Sequence, residues 1–227
     1  GNAKRSGVHV DLPTDPLVAH ALRGAARAVS RLCQGWGLNG GAIPPLLNEL
    51  RFPLSPDDLH ENRPIEWVWK RTGRAPSERT VHEHLALIND RVMGGVLELV
   101  VTVLLLDHLT RQHPTWLQPH GLRMLMLATT IIAHKFVREI DVRTCEYCGA
   151  MADLWPDLSV ERVGRIEYKV MDVFGWHLPR GDIYQIYADA IFNCYNETAE
   201  EPIAAPSIFD DDDDDEWPET SDEWKHT

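Results

Sequence analysis

From Leu122 to Phe136 the chain reads LRMLMLATTIIAHKF, and up to Ile132 only Arg123, Thr129 and Thr130 interrupt a series of Leu, Met, Ala and Ile. No polar stripe of useful width is left at helical period, and a helix of that kind is buried nearly all round. The run is too short to cross a bilayer, which takes about 20 apolar residues. Pro119 and Gly121 just before it mark a helix start in a soluble protein. This stretch is therefore expected to be the central helix of a bundle. Lys135 stands near its far end, where a cation suits the helix dipole and can bond to unpaired carbonyls.

The rest of the chain supplies helices to cover it. Asp15 before Pro16 is a helix start, and Val18, Leu22, Ala25, Val29 and Leu32 give residues 15–33 one apolar stripe that needs a partner surface. Nine Gly and Pro residues between Gly35 and Pro64 read as a long loop, with Trp67 and Trp69 as an anchor after it. Ser77 caps a helix with a face of Val81, Leu85, Ile88 and Val92, ended by Gly94 and Gly95. Residues 96–109, VLELVVTVLLLDHL, form a second helix apolar all round, with Asp107 its odd member. A short helix is expected over 143–153 with Met151 and Leu154 inward, ended by Pro156. Another follows Ser159 through Val163, Ile166, Val170 and Phe174 to Gly175. The last, 182–195, carries Ile183, Ile186, Tyr187, Ala190 and Ile191 on one side. No segment alternates like a strand, so the fold class is all-α.

Charge divides the chain further. Residues 196–227 hold thirteen Asp or Glu against Lys225, which accounts for -12 of the formal -13 and leaves the body near neutral. Such a body offers no broad basic field for nucleic acid, and an acidic run such as Asp210 to Glu216 cannot bury surface, so 196–227 reads as a disordered tail. Four cysteines without dense spacing, and no stretch ordered like a secretory leader, lead to an expected intracellular location, cytoplasmic or nuclear, and no membrane partner.

Motifs that would carry chemistry are absent. Cys145 and Cys148 form a CxxC, but no second Cys or His pair follows at zinc spacing, and the motif falls in an expected helix, so both read as structural. His82 and His84 flank Glu83 without facing each other and read as solvated. Neither a phosphate-cradling GxxxxGK[ST] nor a GxSxG elbow occurs. No metal, cofactor or catalytic residue is expected, and the chain reads as a non-enzyme.

The order of helices and three local patterns carry a resemblance. Leu104 to Leu109, LLLDHL, is similar to the second-helix signature of the cyclin box, with His108 where Arg is usual. His120 to Phe136 resembles its third-helix pattern, ending in Ala, a small residue, Lys and an aromatic. Val163 to Met171, VGRIEYKVM, resembles the fifth-helix pattern around a glutamate, and Gly175 to Leu178 fits its aromatic exit. The resemblance covers about half the chain, from Ser77 to Phe192, and is nearest to the single-box cyclins of the phosphate-pathway type. It implies an N-terminal helix and Gly/Pro-rich segment over 1–76, a five-helix box over 77–195 with flanking helices, and the tail over 196–227.

The resemblance also implies a function: a regulatory subunit that binds and activates a cyclin-dependent serine/threonine kinase. In the family the positions of Lys135 and Glu167 bond to the kinase main chain beside its regulatory helix, and Ile132, Phe136, Met171 and Trp176 are then the apolar neighbours. The two charged residues are expected within about 10 Å on a shared face, and replacing either with Ala is expected to cost binding while leaving the melting temperature nearly unchanged. The Met-Arg-Ala-Ile-Leu patch used by cell-cycle cyclins for substrate docking is missing, and no room is left for a second box. The alternatives are a cyclin-fold scaffold without a kinase and a transcription-type adaptor.

Overall fold

Three of the helix starts legible in the sequence are closed by the side chain expected of them. In the computed structural model, which describes residues 15–33, 76–112, 122–139, 142–156, 158–179 and 181–208, Asp15 accepts from the Leu17 amide and opens α1, Pro16–Leu32. Ser77 accepts from Thr80 and opens α2, Glu78–Val92. Ser159 accepts from Arg162 and opens α6, Val160–Val173. Each such bond satisfies an amide that the helix itself leaves unpaired. Between them lie α3, Val96–Gln112, α4, Leu122–Arg138, and the short α5, Thr144–Ala150; α7, Ile183–Asn196, follows. All seven elements are helices, and no strand occurs among the described residues. None of the described helices is long and apolar enough to cross a membrane.

The two helices without a polar stripe form the centre. All of α4 from Leu122 to His134 is buried, as are Leu99 to Leu106 and Leu109 of α3. α3 and α4 lie against each other; α1 and α7 cover α3, while α2 and α6 cover α4. Each fully buried Leu or Ile is worth about 1.5–3 kcal/mol over its exposed state, so this pair dominates the core.

α1 belongs to the same body. Val18, Ala21, Leu22, Ala25, Ala26 and Val29 are buried against α2, α3 and α7. Gly24 lets α1 and α7 approach: a Cβ there would sit 2.1 Å from the Ile191 carbonyl oxygen.

Several expectations from sequence change. α2 does not end on a glycine in the left-handed region; Met93 takes that conformation, at φ 53°, and is 82% exposed. Gly94 follows because a side chain there would strike Asn89, whose amide bonds the Gly94 carbonyl. On α7 the buried face is Tyr184, Ala188, Ile191 and Phe192, while Ile186 and Ala190 are exposed. Apolar residues on both sides of that helix made its register ambiguous, and contact with α1 and α3 decides it. His84, read as solvated, is buried beside Trp155, with ring centroids 5.3 Å apart, and His82 is half-buried. Trp155 reaches α2 because α5 ends early and the chain turns back through Met151.

The first residues assigned to the tail from charge pack on the body. Asn196 pairs with both main-chain groups of Ile203, and Gln185 accepts from the Ile208 amide and donates to the Pro206 carbonyl. Residues 202–208 thus run back along α7, with Ile203, Ala205 and Ile208 against the core. The Gly/Pro-rich segment with Trp67 and Trp69, Pro119, Gly121, and the acidic run with Trp217 and Trp224 lie outside the described residues.

Candidate functional site

Lys135 does not spend its charge on the carbonyls at the end of its own helix. Its ammonium donates to Glu167 Oε1 of α6 at 2.8 Å and to Thr144 Oγ1 of α5 at 3.0 Å. Thr144 Oγ1 in turn donates to Glu167 Oε2 at 2.7 Å. The three side chains close a ring in which every hydrogen bond involves an ionised group, the stronger kind. The ring is partly withdrawn from water: side-chain exposure is 29% at Lys135 and 11% at Glu167.

Each member is placed by its element. Lys135 is one turn from the end of α4, just where burial gives way to surface. Glu167 is the buried polar residue in the inward face of α6, Val163, Ile166 and Val170. Thr144 is the first residue of α5; the preceding Arg143 makes no side-chain cap bond, and the threonine hydroxyl is turned to the ion pair. Sequence reasoning missed Thr144, because a threonine at a helix start is read as a local cap and its partners here come from other helices.

Below the ring, Tyr147 and His134 are hydrogen bonded at 2.8 Å, edge to face, and the Lys135 ammonium lies 5.6 Å from the Tyr147 ring centroid. Burial, with Glu167 and Glu146 nearby, pushes the Tyr147 phenol up to about 12. Burial lowers the His134 imidazole below its usual value. A neutral imidazole accepting the phenolic proton at Nδ1 satisfies both directions.

The apolar residues named with the pair fall into three states. Ile132 is 5% exposed and belongs to the core, so it offers a partner little surface. Phe136 and Met171 are half-buried, each one helical turn beyond Ile132 and Glu167 respectively. Trp176 is 54% exposed, lies across Tyr168 edge to face at 5.1 Å, and stands in the left-handed region at φ 63°. A bulky residue held there carries backbone strain of about 1–3 kcal/mol, and such strain gathers at functional positions. The amide of Trp176 bonds the Met171 carbonyl, which fixes the indole just past the end of α6.

Spare bonding capacity remains in the ring. Among the described residues the ammonium uses two of its three N–H donors, and the carboxylate accepts two bonds where it has room for about four. One donor and two acceptor positions are thus held side by side on the three helices. A separate cleft of about 400 Å³ between α1, the start of α2 and the end of α7 is lined by Arg23, Arg27, Glu78, Tyr195 and Glu200 among others, and none of the candidate residues borders it. No group of three or more His, Cys, Asp and Glu is arranged for a metal among the described residues.

Set against known proteins, the chain matches no family model, no curated protein and no solved structure.

Proposed function

We propose that this chain is the regulatory, cyclin-type subunit of a cyclin-dependent serine/threonine kinase. The observation that carries the reading is the Lys135–Glu167–Thr144 ring: a cation and an anion from separate helices, held together at the rim of an all-helical body. Those are the two charged positions at which the cyclin resemblance puts the bonds to a kinase main chain. The half-buried Phe136 and Met171 and the exposed Trp176 give the apolar area, and buried apolar area gives affinity. The ring's donor and acceptors give one rotation to the helix that docks there. Holding the kinase's regulatory helix in that rotation favours the state in which its glutamate pairs with the catalytic lysine. The chain does no chemistry in this account.

Purifying the full chain from its own cells and identifying the co-purified proteins by mass spectrometry tests the proposal. A protein kinase recovered with the wild type and reduced with Glu167→Ala is the expected result. Recovery of other partners alone, undiminished by that substitution, would favour a cyclin-fold scaffold.

A further inference from the structure

Helix α5, which gives Thr144 to the ring, also carries two free thiols with different access to solvent: Cys145 is exposed and Cys148 is buried, at 6%. Residues three apart on a helix have Cα atoms about 5 Å apart, within the range of about 4.4–6.8 Å that a disulfide bridges. Cys148 is also four residues from Thr144 and so shares its face of the helix. Its thiol is held up first by burial, then by the Glu167 carboxylate and by Cys145, which puts it in the field of both the ring and the neighbouring sulfur.

We propose that Cys145 and Cys148 are a reversible redox pair whose intrahelical disulfide, formed with a small disulfide oxidant, displaces Thr144 from the Lys135–Glu167 ring. The Cys145 thiolate attacks one sulfur of glutathione disulfide; that S–S bond breaks, and a glutathione thiolate leaves and takes up the proton Cys145 lost. Cys148 gives its proton to water and attacks the Cys145 sulfur of the mixed disulfide. The second glutathione thiolate leaves and is protonated in turn. Two cysteine thiols are oxidised by two electrons, and one glutathione disulfide becomes two thiols.

Geometry couples the bridge to the ring. Cβ atoms three apart on a helix are separated by about 5–6 Å, whereas a disulfide holds them at about 3.5–4.5 Å. Closing the bond draws the first turn of α5 together, and Thr144 is the residue next to Cys145 in that turn. The buried sulfur of Cys148 has to swing out from the core to reach its partner. None of this rests on the kinase reading, since thiols and ring belong to this chain.

The test treats the folded full chain with glutathione disulfide, blocks remaining thiols, and maps the products by mass spectrometry alongside amide exchange over residues 135–150. The expected result is the loss of two of the four thiols as a Cys145–Cys148 bridge, reversed by reduced glutathione. Faster exchange over the first turn of α5 accompanies it. Cys148→Ser should stop at a stable glutathione adduct on Cys145, and Cys145→Ser should form neither adduct nor bridge. Accumulation of the Cys145 adduct in the wild type with Cys148 left free would overturn the pair. A bridge that forms without altering exchange at 144–150 would overturn its link to the ring.

Discussion

Lys135 is worth more to the fold than a charge at a helix end would be. Because Glu167 is only 11% exposed, removing its cation leaves a largely desolvated carboxylate with one hydroxyl donor. An unsatisfied buried polar group of this kind costs about 1–3 kcal/mol or more. Lys135→Ala should therefore lower stability in urea unfolding as well as weaken partner binding, contrary to what the sequence suggested. Thr144→Val, close in shape, should show the smaller stability loss of about 1 kcal/mol. Trp176→Gly makes the opposite prediction: glycine relieves the left-handed backbone, so the melting temperature should hold or rise while partner affinity falls. A fall in melting temperature would make the indole a structural residue. His84 adds a pH dependence. Burial, with Arg123 next in effect, holds its imidazole well below the usual 6.5. The unfolded chain then takes a proton that the folded chain refuses, so stability is full above about pH 6.5 and declines as pH falls below it. Half-buried His82 and buried His134 are lowered in the same direction. Stability measured from pH 7.5 down to 5.5 should decline, and decline less in His84→Gln. Lys135 stood out because it ends an apolar run, whereas Glu167 was singled out only through the resemblance of VGRIEYKVM to a cyclin-box helix. Thr144 and His84 were not, since their surroundings come from helices remote in sequence.

Helix by helix, the legible part is what local chemistry decides. Asp15, Ser77 and Ser159 act through amides two or three residues away, and the uniform apolarity of α3 and α4 leaves them nowhere but the centre. The register of α7 and the course of 202–208 depend on tertiary contact. On α7, two apolar sides competed; in 202–208, short apolar residues pair through Asn196 and Gln185, a signal that charge counting in the tail concealed. Two outcomes follow for α1. Gly24→Ala forces a methyl onto the Ile191 carbonyl, part of a helix backbone that cannot turn aside, and should cost about 1–3 kcal/mol or more by overpacking. Deleting residues 1–34 removes six buried α1 residues and their glycine contact from the core and should abolish the cooperative thermal transition. A truncated chain that melts like the full one would show α1 to be an appendage.

At the scale of the molecule, one core joins α1 to α7, and the ring at its rim links α4, α5 and α6, with the His134–Tyr147 hydrogen bond joining α4 to α5 a second time. A body of that kind presents a surface that cannot rearrange cheaply, which is what a protein needs if it is to hold a partner's helix in one rotation. The most direct measurement is phosphorylation of a serine/threonine peptide by recombinant cyclin-dependent kinases, each titrated with the full-length chain and with its folded Glu167→Ala variant. The account predicts that at least one kinase is activated saturably, with the variant needing roughly 5- to 150-fold more protein for half-activation, as a loss of about 1–3 kcal/mol requires. A folded wild-type chain that activates none of them, or a variant that activates as well as the wild type, would contradict it.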